Sequence, residues 1–138
     1  MAVVREAMMP DPRALPASAS AQEAGELLVR PEVKAVLVVE GERLLGVVTA
    51  AGLVEHVVAA GRDPKATRLE EIVEQVEVTV EPDAPLDDAY RLMEEEDIER
   101  LPVTEAGRLV GVLSRSGLQR RLAEDESRGD EEEGPLEL

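Results

Sequence analysis

The chain has 138 residues, 43% of them apolar, with no Cys, Phe or Trp and a single aromatic residue, Tyr90. That length suits one compact domain or two interlocking halves around an aliphatic core, and the lack of cysteine excludes disulfides and thiolate metal sites. A formal net charge of −16 opposes nonspecific binding to nucleic acid or anionic membranes, no apolar run reaches membrane-spanning length, and the N-terminus lacks the basic-then-apolar order of a secretory signal, so a cytoplasmic protein is expected.

Taken in chain order, Val3 to Met9 reads as a short helical lead and Pro12 to Pro16 as an extended connector. A helix is predicted from about Ser20 to Arg30, with Ala21, Ala24, Leu27 and Leu28 on one face and Ser20 and Glu23 at capping-box spacing. Two strands, Ala35 to Val39 and Leu44 to Val48, flank the turn Glu40-Gly41-Glu42-Arg43, and their continuous apolar runs predict burial on both faces. A final helix spans about Ala51 to Ala60. His56 lies on it without a second metal ligand at helical spacing, so it reads as a structural or exposed residue, and no metal site is expected.

The polar stretch Gly61 to Arg68, with Pro64 inside it, reads as a link. The same order of elements then returns. Leu69 to Gln75 is a lead, and Glu77 to Pro82 a connector in which Val76, Val78 and Val80 alternate with polar residues as a strand does. A helix from about Ala84 to Glu96 turns Leu86, Ala89, Tyr90 and Met93 inward, with Asp83 as the expected N-cap. Glu94-Glu95-Glu96-Asp97 reads as its solvated end. The strands Leu101 to Thr104 and Leu109 to Leu113 flank Glu105-Ala106-Gly107-Arg108, and a last helix runs from Ser116 to Ala123. From Glu124 to Leu138 there are eight acids and one base, a net −7, and this tail is expected to be disordered.

The two halves are copies. Shifting by 65 positions places Ala24 on Ala89, Leu28 on Met93, Gly46 on Gly111, Thr49 on Ser114, Gly52 on Gly117 and Val4 on Leu69, with no gap. The expected organisation is a first unit at residues 1–60, a link at 61–68, a second unit at 69–123 and the acidic tail at 124–138. The fold class is α+β, with two β-α-β-β-α units that are each too small to bury a good core alone.

Arg100-Leu101-Pro102-Val103, then Gly107-Arg108-Leu109-Val110-Gly111-Val112-Leu113-Ser114, resembles the second half of a CBS domain, and Leu44-Leu45-Gly46-Val47-Val48-Thr49 resembles the first copy of it. The connector Val78-Thr79-Val80-Glu81-Pro82-Asp83 and the helix with Ala89 and Met93 fit the same pattern. The resemblance implies a Bateman module, two CBS motifs related by pseudo-twofold symmetry with a ligand cleft on either side. It also implies a homodimer whose faces include the final helices, around Leu53, Val57, Leu118 and Leu122. Such modules take AMP, ADP, ATP or S-adenosylmethionine and control a separately encoded partner protein. Neither nucleic acid nor membrane is an expected partner, and no catalytic set is present.

The residues themselves say how a cleft would hold a nucleotide. Thr49 and Ser114 each precede a helix whose first N–H groups attract anions. Each hydroxyl serves as a helix cap, with or without a ligand contact in addition. The family pattern places an aspartate for the ribose diol three positions later, where this chain has Gly52 and Gly117, so adenosine-nucleotide binding is expected to be weak. Arg100 and Arg115 concentrate positive charge near Ser114, against Ala35 and Ala50 in the first copy. Thr79, Val36, Leu101 and Pro102 complete the candidate ligand set. A pair that binds no nucleotide and serves as a dimerisation or protein-interaction scaffold is the alternative.

Overall fold

The aliphatic runs form one branched mixed sheet with helices packed on it. The computed structural model describes residues 2–10, 13–121 and 123; the expectations for Pro12, Leu122 and the tail at 124–138 lie outside the described residues. In chain order the elements are α1 (Val4–Ala7), β1 (Met9–Pro10), β2 (Ala14–Pro16), α2 (Ala21–Leu28), β3 (Val36–Glu40), β4 (Arg43–Val48), α3 (Ala50–Leu53) running into a π-helical turn (Val54–Val58), a 3₁₀ turn (Leu69–Glu71), α4 (Leu86–Glu95), β5 (Arg100–Glu105), β6 (Arg108–Ser114) and α5 (residues 115–121).

The duplication extends to the hydrogen-bond register. β3 pairs antiparallel with β4, and β5 with β6, in hairpins whose registers slip at equivalent places, between Val38 and Val39 and between Val103 and Thr104. Leu15 pairs in parallel with Val38, as Val80 does with Val103. Glu74 bridges antiparallel to Val47, as Met9 does to Val112. Arg43 opposite Arg108 joins the two hairpins.

Those last pairings cross between the copies. The lead of the first copy lies on the hairpin of the second, and the second lead on the first. Val4 is fully buried among Leu86, Ala89, Met93, Leu101, Val103 and Leu113, and Leu69 is fully buried among Ala21, Ala24, Val38, Val48 and Val57. Each half therefore completes the other's core, and each exchanged aliphatic side chain contributes about 1.5–3 kcal/mol by leaving water. The exchanged backbones also cap the helices. Leu86 N–H donates to the Ala2 carbonyl at 3.0 Å, and Ala21 N–H to the Thr67 carbonyl at 2.8 Å.

This exchange sets the identity of two glycines. A Cβ at Gly46 would overlap the carbonyl oxygen of Glu74 and stand 2.9 Å from Val73 Cγ2. A Cβ at Gly111 would stand 2.7 Å from Met8 Sδ and 2.9 Å from the Met9 carbonyl oxygen. Only glycine lets the crossing backbone approach a strand so closely.

Three expectations need correction. Residues 76–80 do not form a regular strand: only Val80 bridges to β5, while Val76 and Val78 face a cavity and leave the ladder. Asp83 does not cap α4. Pro85 occupies the N-cap position with no side-chain bond, the exchanged Ala2 carbonyl accepts the first helical N–H, and Asp83 instead accepts from Arg5 at 3.1 Å. The lead at Leu69 winds through only a short 3₁₀ turn. The helix at Ser20 starts as expected, with Ser20 Oγ accepting from Glu23 N–H at 3.2 Å.

Candidate functional site

A cavity of about 600 Å³ opens where the two copies meet. Its walls obey the pseudo-twofold relation: Val33 and Ile98, Ala35 and Arg100, Leu37 and Pro102, Val47 and Val112 line it as pairs 65 positions apart. The segments Met9 to Arg13 and Gln75 to Val78, which flank the exchanged pairings, supply opposite walls through their described residues. The size lies within the range of small-molecule sites, as does the combination of apolar walls and a few polar groups. The symmetry breaks in charge. Arg100 stands where the first copy has Ala35, and Arg13 where the second has Val78, so each copy contributes one guanidinium; Glu32, Glu77 and Glu96 also line the cavity.

Of the residues singled out from sequence, the structure brings Val36, Arg100 and Pro102 together in this cavity. Arg100 is exposed and makes no ion pair among the described residues. Leu101 points the other way, fully buried in the second core. Thr79 is exposed, outside the cavity lining. Thr49 Oγ1 accepts from Gly52 N–H at 3.0 Å and Ser114 Oγ from Gly117 N–H at 3.2 Å, so both hydroxyls cap helices. Arg115 is occupied: its guanidinium meets Asp97 at 3.1 Å and Glu99 at 3.5 Å and reaches the Met93 carbonyl at 3.4 Å.

Sequence reasoning missed Arg13, although the repeat pointed to it, since the shift carries it to Val78, next to the flagged Thr79. It also missed the surroundings of Gly52. A Cβ there would stand 3.4 Å from Glu74 Oε1, so the space left by the glycine adjoins a carboxylate from the exchanged lead.

A family model of the CBS domain matches the chain twice, at residues 4–59 and 69–124. The chain belongs to the CBS-domain family. The CBS domain-containing protein YhcV of Bacillus subtilis is 30% identical over 129 residues, which is 94% of this chain and 91% of that protein. Among solved structures, CBSX2 in complex with AMP superposes with a TM-score of 0.74 at 26% identity, covering 91% of this chain and 99% of that one. Hypoxic Response Protein I with two coordinated zinc ions superposes with a TM-score of 0.73 at 24% identity, covering 88% and 99%; at that identity the likeness speaks for the fold alone. The chain thus has the α+β architecture of a CBS pair. No described helix is long and apolar enough to cross a membrane.

Proposed function

We propose that this CBS pair is a non-catalytic regulatory module that senses a small adenosine-type ligand and modulates a separate partner protein, in the cytoplasm. The observation that carries this reading is the cavity of about 600 Å³ between the copies, with apolar walls for a base and one arginine from each copy. The AMP bound by CBSX2 supports the ligand class.

Charge narrows the choice. Two arginines against three glutamates leave the lining at −1. Such a lining accepts AMP or the cationic S-adenosylmethionine more readily than a triphosphate, because like charges in a partly desolvated cleft repel. Gly52 and Gly117 stand outside the cavity lining, so the side-chain acceptors it offers a ribose are Glu32, Glu77 and Glu96. In titration calorimetry AMP and S-adenosylmethionine are expected to bind more tightly than ATP, and Arg100→Ala to weaken AMP roughly tenfold, the equivalent of one charge-assisted hydrogen bond. Tight ATP binding that survives Arg100→Ala would overturn the assignment.

A second reading, an interaction scaffold that binds no nucleotide, is favoured by an apolar surface at the C-terminal end of α2 and on the final helix of the first copy. Val29 is 80% exposed, Val58 72% and Val54 59%. Such a patch suits a homodimer. Light scattering of Val58→Asp should then give half the mass of the parent, and no adenosine ligand should raise the melting temperature.

A further inference from the structure

The π-helical turn Val54–Val58 carries Glu55 and His56. π turns inside helices concentrate at functional sites. Opposite them, Glu74 arrives on the exchanged lead of the other copy, held by reciprocal 2.9 Å backbone bonds to Val47. His56 Nε2 lies 3.2 Å from Glu74 Oε1 and 3.9 Å from Glu55 Oε2, and all three donor atoms fall within 4.8 Å of one another. No arginine or lysine pairs with either glutamate among the described residues. The three side chains are 39%, 49% and 75% exposed in the order His56, Glu74, Glu55, so an ion could enter directly from solvent. The second copy places Arg120, Arg121 and Met9 at the equivalent positions, so the donor set occurs once and does not follow from the fold. Gly52 lies directly against the cluster, since a Cβ there would stand 3.4 Å from Glu74 Oε1.

We propose that Glu55, His56 and Glu74 bind one divalent transition-metal ion, with Zn²⁺ the best match. One imidazole nitrogen and two carboxylate oxygens form a donor set zinc accepts, at bond lengths of about 2.0–2.2 Å, leaving a fourth position for water. Ligands around a tetrahedral ion with such bonds stand about 3.3 Å apart, against 3.2 Å from His56 Nε2 to Glu74 Oε1 and 3.9 Å to Glu55 Oε2 in the free side chains. Mg²⁺ and Ca²⁺ seek six or more oxygens and discriminate against the nitrogen. The ion would tie the first copy's final helix to the second copy's lead. Gln75 and Val47, neighbour and partner of Glu74, both line the central cavity. Metal occupancy therefore bears on the rigidity of the cavity wall.

The test is calorimetric titration of the untagged full chain with ZnCl₂ and, separately, MgCl₂, alongside the variants His56→Ala, Glu74→Gln and Glu94→Gln, with circular dichroism to establish that each is folded. The expected result is one ion per chain that is lost or weakened more than about a hundredfold in His56→Ala and in Glu74→Gln, exceeding what loss of an outer-shell partner usually does. Glu94→Gln, on the exposed end of α4, should match the parent. Absence of zinc binding, zinc affinity unchanged in both site variants, or Mg²⁺ binding as tightly as Zn²⁺ would each overturn the proposal.

Discussion

Replacing Gly46 by alanine tests the exchange of leads directly. The added Cβ would collide with the backbone of Glu74, which is fixed by its two bonds to Val47, and with Val73 Cγ2 at 2.9 Å. Relief requires the second lead to move off β4. Overpacking of this kind costs about 1–3 kcal/mol. Weakening the two backbone bonds adds about 0.5–1.5 kcal/mol each. The expected loss is therefore about 2–6 kcal/mol, a large share of the typical stability of about 5–15 kcal/mol. Gly111→Ala provides the internal comparison. There the nearest atom is the flexible sulfur of Met8 at 2.7 Å, with the Met9 carbonyl at 2.9 Å, so the loss should be smaller. Urea unfolding of the two variants and the parent measures both. If Gly46→Ala costs less than about 1 kcal/mol, or no more than Gly111→Ala, the lead does not lie against β4 as described.

Three further outcomes are expected. Leu69→Ala should cost about 2–5 kcal/mol in urea unfolding, because its side chain leaves a cavity in the first copy's core; a double-mutant cycle with Val48→Ala should show non-additivity, whereas one with Leu101→Ala, in the other core, should be nearly additive. Glu71 is held below the ordinary glutamate pKa chiefly by its bond from the Arg68 N–H, aided by Arg62. Its contribution is thus present above about pH 4.3 and lost as pH falls below that through its depressed value, so the melting-temperature gap between the parent and Glu71→Gln should close on acidification. Arg115→Ala should lower stability by about 1 kcal/mol through its lost bonds to Asp97 and Met93 yet leave AMP affinity unchanged; a loss of affinity without a loss of stability would place it in the ligand cleft.

The order of elements was legible because aliphatic periodicity and the 65-residue shift act locally. The exchange was not, because Val4 and Leu69 occupy equivalent positions: a repeat pattern reads the same whichever core accepts them. Val76 and Val78 alternate with polar residues as in a strand, but the whole run Gln75 to Val78 lines a cavity and only Val80 joins the ladder. Arg100 and Pro102 could be placed beside a cleft from the resemblance. Leu101, between them, necessarily faces the opposite side of an extended strand, and alternation alone assigns it to the core. His56 seemed isolated because its partner Glu74 is 18 residues away, on a segment that only the crossing brings near.

The crossed leads also dictate when this protein can fold. As the chain leaves the ribosome, its first sixty residues lack Leu69 and Ile72, which their core requires, and Val4 waits for partners as late as Leu118. The first core closes once the lead through Val73 has emerged, but the second, which holds Val4, waits for Leu118, so folding depends on contacts distant in sequence and is slowed accordingly. Val4 stays uncovered until that point, and the strand Val36–Glu40 until the lead at Leu69 arrives, which exposes the nascent chain to mispairing with its neighbours.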